Sequence, residues 1–355
     1  MTSSTLPTGR TGALDATRTL RLSGLSLRWR PRVVVAGAVA VVLALLLGAW
    51  TMVLGDADVP FAEVVATTFG VGSGEHDFVV RTLRLPRVLA AAGVGVALGS
   101  SGSILQGLVR NPLVAPDVIG VTTGAAVAAV AIIVMGAPSG LLPVGAFVGA
   151  LVTTLLLYVL TWRGGVTGNR LVLVGIGVNA AMLSLVTFML VRFPIEQVSS
   201  AMLWQTGTLY ARGWTHVVWI SVGLAVLLPV ALALMPRMRT LQLGDDAATA
   251  LGGRVEWSRA ALLVTAAGLA AVAVAVAGPI GFVALMVPNA VRLVLGPLTG
   301  GVLVVAGLFG AVLVIGSDLV AQHMFSPVSL PAGVVTAALG APYFLFLLHR
   351  TNARS

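Results

Sequence analysis

The chain has 355 residues, 58% of them hydrophobic and only 9% charged, with a mean hydropathy of +1.03, whereas a soluble domain carries roughly a quarter charged residues. That is the composition of a polytopic membrane protein. Its net charge of +9 rests on 21 basic residues, all arginine, so a P-loop, which needs lysine before Ser or Thr, is excluded, as are the disulfides and thiolate metal sites that cysteine would supply.

Six arginines (Arg10, Arg18, Arg21, Arg28, Arg30, Arg32) fall in a tail over residues 1–32 that is expected to lack regular structure. They are not interleaved with aromatics as in a nucleic-acid patch, so no nucleic-acid partner is expected. The apolar run Val33 to Leu54 follows, long enough to span a bilayer and too long for a signal-peptide core. It is read as a retained first helix with the tail in the cytoplasm. Further runs near 88–108, 119–136, 141–162, 171–192, 215–235, 259–277, 281–295, 300–322 and 331–348 predict an all-α fold of about ten transmembrane helices over 33–349. A short cytoplasmic tail, 350–355, completes it, so both termini are cytoplasmic.

On this topology Arg110, Arg163, Arg170, Arg237, Arg239, Arg254, Arg259, Arg292, Arg350 and Arg354 join the tail arginines inside. Only Arg81, Arg84, Arg87, Arg192 and Arg212 fall outside, with acidic Asp56, Asp58, Glu63, Glu75, Asp77 and Glu196. The positive-inside rule supports that orientation, and Trp50, Trp162, Trp214 and Trp257 lie near span ends as an interfacial belt requires. GSSGSI at 99–104 echoes GPIGFV at 278–283. An inverted repeat would produce such an echo, and so would the Gly-x-x-Gly spacing common in membrane helices.

Four stretches interrupt the apolar pattern. RTLRLPR, 81–87, sets three arginines on the outer side, either anchoring to headgroups or docking an acidic face of an external partner. In RNPLVAPDVIGVTTG, 110–124, Arg110 would anchor the end of a helix, and Pro112 and Pro116 would hold the chain extended beyond Asn111. Gly120 and Gly124 would let it turn while Thr122 or Thr123 caps the next helix, making either a candidate inner gate or a plain cytoplasmic turn. TLQLGDDAATALGGRVE, 240–256, predicts a two-turn helix, begun by Gly244 and Asp245 and ended by Gly252. It would dock on a partner or lie against its own bundle. Asp318 is the one acid inside a predicted span, about a turn from its outer end. It would cap the turn at Ser329 to Pro331 or act in transport. With no carboxylate or histidine beside it, an ion-coupled relay is disfavoured.

These residues carry a resemblance. RLPRVLAAAGVGVALGSSGSILQGLVRNPLVAPDVIGVTTGAA, WQTGTLYARGW, LGDDAATALGG, VAVAGPIGFVALMVPNAVRL and LPAGVVTAALGAPYFLFLL resemble, in order, segments of the FecCD-type permeases of bacterial ABC importers for iron(III) siderophores, haem and cobalamin. The resemblance implies a cytoplasmic-membrane subunit that dimerises with a second copy or a sister permease. It binds no cofactor itself: ATP is hydrolysed by partner ATPase subunits, and an extracytoplasmic binding protein delivers the chelate. It implies that Arg84, flanked by Arg81 and Arg87, docks the binding protein. It also implies that Leu243, Gly244, Asp245, Asp246, Ala247, Ala248, Leu251 and Gly252 form the ATPase coupling segment, and that Thr122 and Thr123 sit at the cytoplasmic gate. Gly278, Pro279, Gly281, Pro288, Asn289, Asp318, Pro331, Gly340 and Pro342 are the corresponding structural positions. Two residues depart from the pattern: Asn289 stands where histidine is common, and Gln322 where arginine is frequent. No metal is expected to be ligated directly. The contrasting classes are an ion-coupled secondary transporter, whose paired ionisable residues are missing, and an intramembrane enzyme.

Overall fold

The computed structural model describes residues 18–22, 25–55, 59–72, 74–162, 168–324 and 329–352. Arg10, Asp56, Asp58, Arg163 and Arg354 lie outside them. Within the tail, β1 (Arg18–Leu22) and β2 (Leu25–Trp29) pair antiparallel, Arg18 opposite Trp29. Leu20, Leu22, Leu25, Leu27 and Trp29 recur there with the period of two that suits a strand.

The remaining elements are helical. The first helix, α1 (Pro31–Val53), begins two residues early because proline suits the first turn. After the short α2 (Phe61–Thr68) come α3 (Leu85–Val109), α4 (Val121–Val134), α5 (Leu142–Thr161) and α6 (Gly168–Arg192). A surface helix, α7 (Ile195–Gln205), leads to α8 (Trp214–Gln242), then α9 (Asp245–Ala250), α10 (Val255–Ala277), α11 (Val283–Leu295), α12 (Gly300–His323) and α13 (Ala332–Asn352). Among the described residues, seven helices are long and apolar enough to cross a membrane, and α4, α11 and the apolar part of α13 are shorter. Each of these ten coincides with one of the runs read from the sequence.

The bundle is built around α3 and α10, whose most apolar windows are 78% and 83% buried. Helix α3 packs against α8, α10, α11 and α12. Its glycines make this possible: Gly95 faces the backbone of Gly310, Gly99 that of Ala306 and Gly102 that of Ala284, each too close to admit a methyl group. Lipid gives helices no hydrophobic reason to associate, so contact of bare backbones does that work. The outward faces of α1, α5 and α6 expose Leu45, Leu155 and Leu173, as lipid contact requires.

Helices α4 and α11, with 14 and 13 residues, rise only about 20 Å against a hydrocarbon core of about 30 Å. Each is preceded by a non-helical connection, 111–120 and 278–282. The first leaves the end of α3 and the second the opposite end of the bundle, yet Asp117 Oδ2 comes within 3.8 Å of where a side chain on Gly281 would begin. Both connections therefore re-enter the bundle. The GSSGSI and GPIGFV echo does not mark equivalent places: the first is inside α3 and the second forms the re-entrant connection.

Candidate functional site

RTLRLPR is not a loop. Phe78–Arg84 is a π-helical stretch that runs straight into α3, a geometry that is frequent at functional sites. It sends its arginines to different surroundings. Arg81 is exposed. Arg84 is half-buried, its Nη1 donating to the carbonyls of Met52 at 2.7 Å and Val53 at 3.4 Å, so it satisfies acceptors at the end of α1. Arg87, the first basic residue of α3, turns inward and grips Asp318 of α12 with Nε to Oδ2 and Nη2 to Oδ1, both 2.8 Å. Gln322 Nε2 donates to the same Oδ2 at 2.8 Å.

One expectation is corrected by this arrangement. Asp318, only 2% exposed, does not cap the turn at Ser329 to Pro331, because a buried carboxylate is balanced by a planar cation far better than by a neutral turn. The same pair engages the Arg87 guanidinium, whose side chain stays 17% exposed. Nearby, Arg212 donates Nε to the Thr208 carbonyl at 3.3 Å and lies 3.3 Å from His216 Nε2, while Trp214 Nε1 donates to the Arg81 carbonyl at 2.9 Å. Burial lowers the Arg212 pKa.

The connection 111–120 is a run of turns rather than extended chain, with backbone hydrogen bonds from Val114 to Asn111, Val118 to Ala115 and Val121 to Pro116. Arg110 adopts a left-handed conformation, φ 57°, and its guanidinium donates to the Leu241 carbonyl at the end of α8. Asn111 Oδ1 accepts from the Leu113 amide at 2.9 Å, an Asx turn that carries Pro112. Asp117 then lays its carboxylate against the backbone of Phe282 and Val118.

The cap of α4 is Gly120, φ 88°, not a threonine. A side chain there would press on the backbone of Asn179 at 3.0 Å. Thr122 is buried inside α4, and Thr123 donates to Asn179 Oδ1 of α6. Gly124 is helical and packs against Gly149 and Thr153 of α5, so it serves close approach rather than a turn. Four structural positions meet on the other re-entrant side. Gly278, φ 74°, and Pro279 approach Trp204 and Gly207, Gly340 of α13 abuts the Phe282 ring, and Asn289 Nδ2 donates to Tyr343 Oη at 3.2 Å. Pro331 opens α13, accepting from the Val334 amide, and Pro342 lies inside that helix. Pro288 within α11 has no N–H for the Ala284 carbonyl. Gln106 of α3 covers the gap, donating Nε2 to Leu285 O at 2.9 Å and Ala284 O at 3.5 Å.

At the cytoplasmic end, α9 forms within the bounds read from Leu243 to Gly252. Gly244, φ 111°, precedes it, and Gly252, φ 77°, follows, with Gly253 N donating to Ala248 O at 2.8 Å to close the end. Ala248 is buried against the bundle, and Asp245 pairs with Arg259 of α10 at 2.6 Å. Ala247 is half-buried. Leu243 and Leu251, 67% and 66% exposed, and Asp246 point outward. The helix is tethered on one side, and Asp246 and the flanking leucines stand exposed on the other.

Among the described residues, ten apolar helices, two of them preceded by re-entrant connections, with a short helix flanked by exposed leucines at the cytoplasmic end, fit a membrane permease. A family model described as the FecCD transport family matches residues 35–350, and the chain belongs to that family. It is accordingly a permease subunit of the ABC-transporter type rather than an enzyme, the ATPase of such systems being a separate subunit. It is similar to the probable siderophore transport system permease protein YfhA of Bacillus subtilis, 39% identical over 91% of this chain and 95% of that protein. It is also 40% identical to the ferric enterobactin permease FepG of Escherichia coli, over 85% of this chain and 91% of FepG. A structure described as an inward-facing metal-chelate type ABC transporter superposes with a TM-score of 0.78 at 26% identity, covering 89% of this chain and 99% of that one.

Sequence reasoning missed three groups: Asp117, Gln106 and Asn179. Gln106 left a signal, as an amide set in the otherwise small and apolar run GSILQGL. Asp117 was visible only as part of an interruption. Nothing in the sequence pairs Asn179 with Thr123.

Proposed function

We propose that this permease imports iron(III)–siderophore chelates, paired with a second permease copy or a sister subunit, with ATPase subunits on the cytoplasmic side and a binding protein outside. The observation that carries the substrate class is likeness along nearly the whole chain to YfhA and FepG. The chelate would pass a wall of Ala, Gly, Val and Thr, because a cargo that must leave again needs a weakly binding path.

Helix α9 is the lever in this reading. Leu243, Asp246 and Leu251 meet the ATPase, while Ala248 and the Asp245–Arg259 pair pass its motion to α8 and α10. The re-entrant connections form the gate, with Asn111, Pro112, Gly120, Thr122, Thr123 and Gly124 on one side and Gly278 to Phe282 on the other. Motion reaches it through α3, which holds α11 through Gln106 and α12 through Arg87, so that rigid elements shift together. Arg81 docks the binding protein, with Arg84 beside it. Cobalamin is the second reading, favoured by 39% identity to the cobalamin permease BtuC of Halobacterium salinarum over 78% of this chain.

The test is uptake of a panel of iron-loaded siderophores and of labelled cobalamin by cells with and without the chain. Loss of uptake of one siderophore class with cobalamin unchanged is the expected result. Loss of cobalamin uptake alone would overturn the substrate assignment.

A further inference from the structure

Behind α9, between the cytoplasmic end of α8 and the start of α10, lies a cavity of about 490 Å³, within the ~300–1,000 Å³ range of small-molecule sites. Its lining includes Arg237, Arg254, Trp257 and Ala248, with two arginines and no acidic residue. The Arg237 guanidinium lies 4.2 Å from the centre of the Trp257 ring. Stacking uses its flat face and leaves its N–H edge free. Neither arginine forms an ion pair with a carboxylate among the described residues, and Arg259 takes both Asp245 and Glu256. Thr240 and Ser258 also line the cavity, but their hydroxyls donate back to the Arg237 and Arg254 carbonyls. The side-chain donors left for a ligand are those of the two arginines and the Trp257 indole N–H, and what fits two planar cations without a carboxylate partner is a phosphate.

We propose that this cavity binds the phosphate of an anionic phospholipid headgroup. Depth favours a lipid as the source. Helix α8 has 29 residues and so rises about 43 Å, well beyond a hydrocarbon core of about 30 Å, which puts its last two turns in the headgroup layer. Trp257 is 54% exposed, as an interfacial tryptophan is. The cytoplasmic leaflet carries the anionic lipids, and juxtamembrane arginines are drawn to them. Because Ala248 of α9 forms part of the wall, a bound headgroup touches the buried side of α9, opposite the face that Leu243 and Leu251 expose. The site goes beyond the transport reading, and its binding test stands apart from uptake.

The full-length permease is purified in mild detergent, stripped of lipid and titrated with phosphatidylglycerol or phosphatidylcholine. Retained lipid is counted by native mass spectrometry, and titration calorimetry follows inorganic phosphate. The wild-type chain is expected to prefer phosphatidylglycerol by on the order of tenfold. Arg237→Gln combined with Arg254→Gln removes that preference. Arg239→Gln, an exposed arginine close by that does not line the cavity, keeps it. Circular dichroism melting establishes that each variant is folded. Phosphate binding that depends on Arg237 and Arg254 without any phosphatidylglycerol preference would sustain the anion site and assign it to soluble phosphate. A double variant that keeps the preference, or Arg239→Gln losing as much as the double variant, would overturn the site.

Discussion

At the outer end of the bundle Arg84 and Arg87 donate to the protein itself, to the carbonyls that end α1 and to the carboxylate of Asp318. At the cytoplasmic end Arg237 and Arg254 face a cavity without a carboxylate, and Leu243 and Leu251 stand exposed beside it. The outer charges hold α1, α3 and α12 together. The inner charges and leucines are left open for contact with something else. Substitutions at the two ends should therefore fail differently, the outer ones through stability and the inner ones through association.

The largest effect is expected at the outer pair. Asp318→Ala leaves the Arg87 guanidinium buried and unpaired, a loss of ~3–5 kcal/mol, which appears as a lowered melting temperature in detergent. Adding Arg87→Met should restore much of it, because removing both partners is far less costly than removing one. A smaller loss, about 1–3 kcal/mol, is expected for Gln106→Leu, which leaves the Ala284 and Leu285 carbonyls without their donor. Asp246→Arg combined with Leu251→Asp should leave stability within about 1 kcal/mol of wild type, about 0.5 kcal/mol for each exposed position, and so the melting temperature nearly unchanged. It should still abolish copurification of the ATPase. Arg81→Glu should be the mildest: stability is unchanged, and binding-protein association slows several-fold at low salt, with the difference shrinking as salt rises.

The ten apolar helices and α9 were legible because each is written locally, in an apolar run of bilayer length or somewhat shorter, or in glycines bracketing two turns. The pairings that define the ends were not. Arg87 and Asp318 are 231 residues apart, and Gln106 and Leu285 are 179 apart. Asp318 read as a lone acid because its partner is a cation on another helix, while the search was for a second acid or histidine. Thr122 and Thr123 read as caps because threonine commonly caps helices. Here Gly120 takes that place, since the neighbouring backbone of Asn179 leaves room for no side chain. The re-entrant connections were half visible: proline and glycine announced irregular backbone, but depth followed only from Asp117 meeting Gly281.

The most direct measurement is ATP-driven uptake of an iron-loaded siderophore into proteoliposomes holding the permease with its ATPase and binding protein, comparing wild type with Asp246→Arg/Leu251→Asp. The variant should keep its melting temperature and lose uptake and ATPase association together. Full uptake by a folded variant would contradict the role of α9 as the coupling lever.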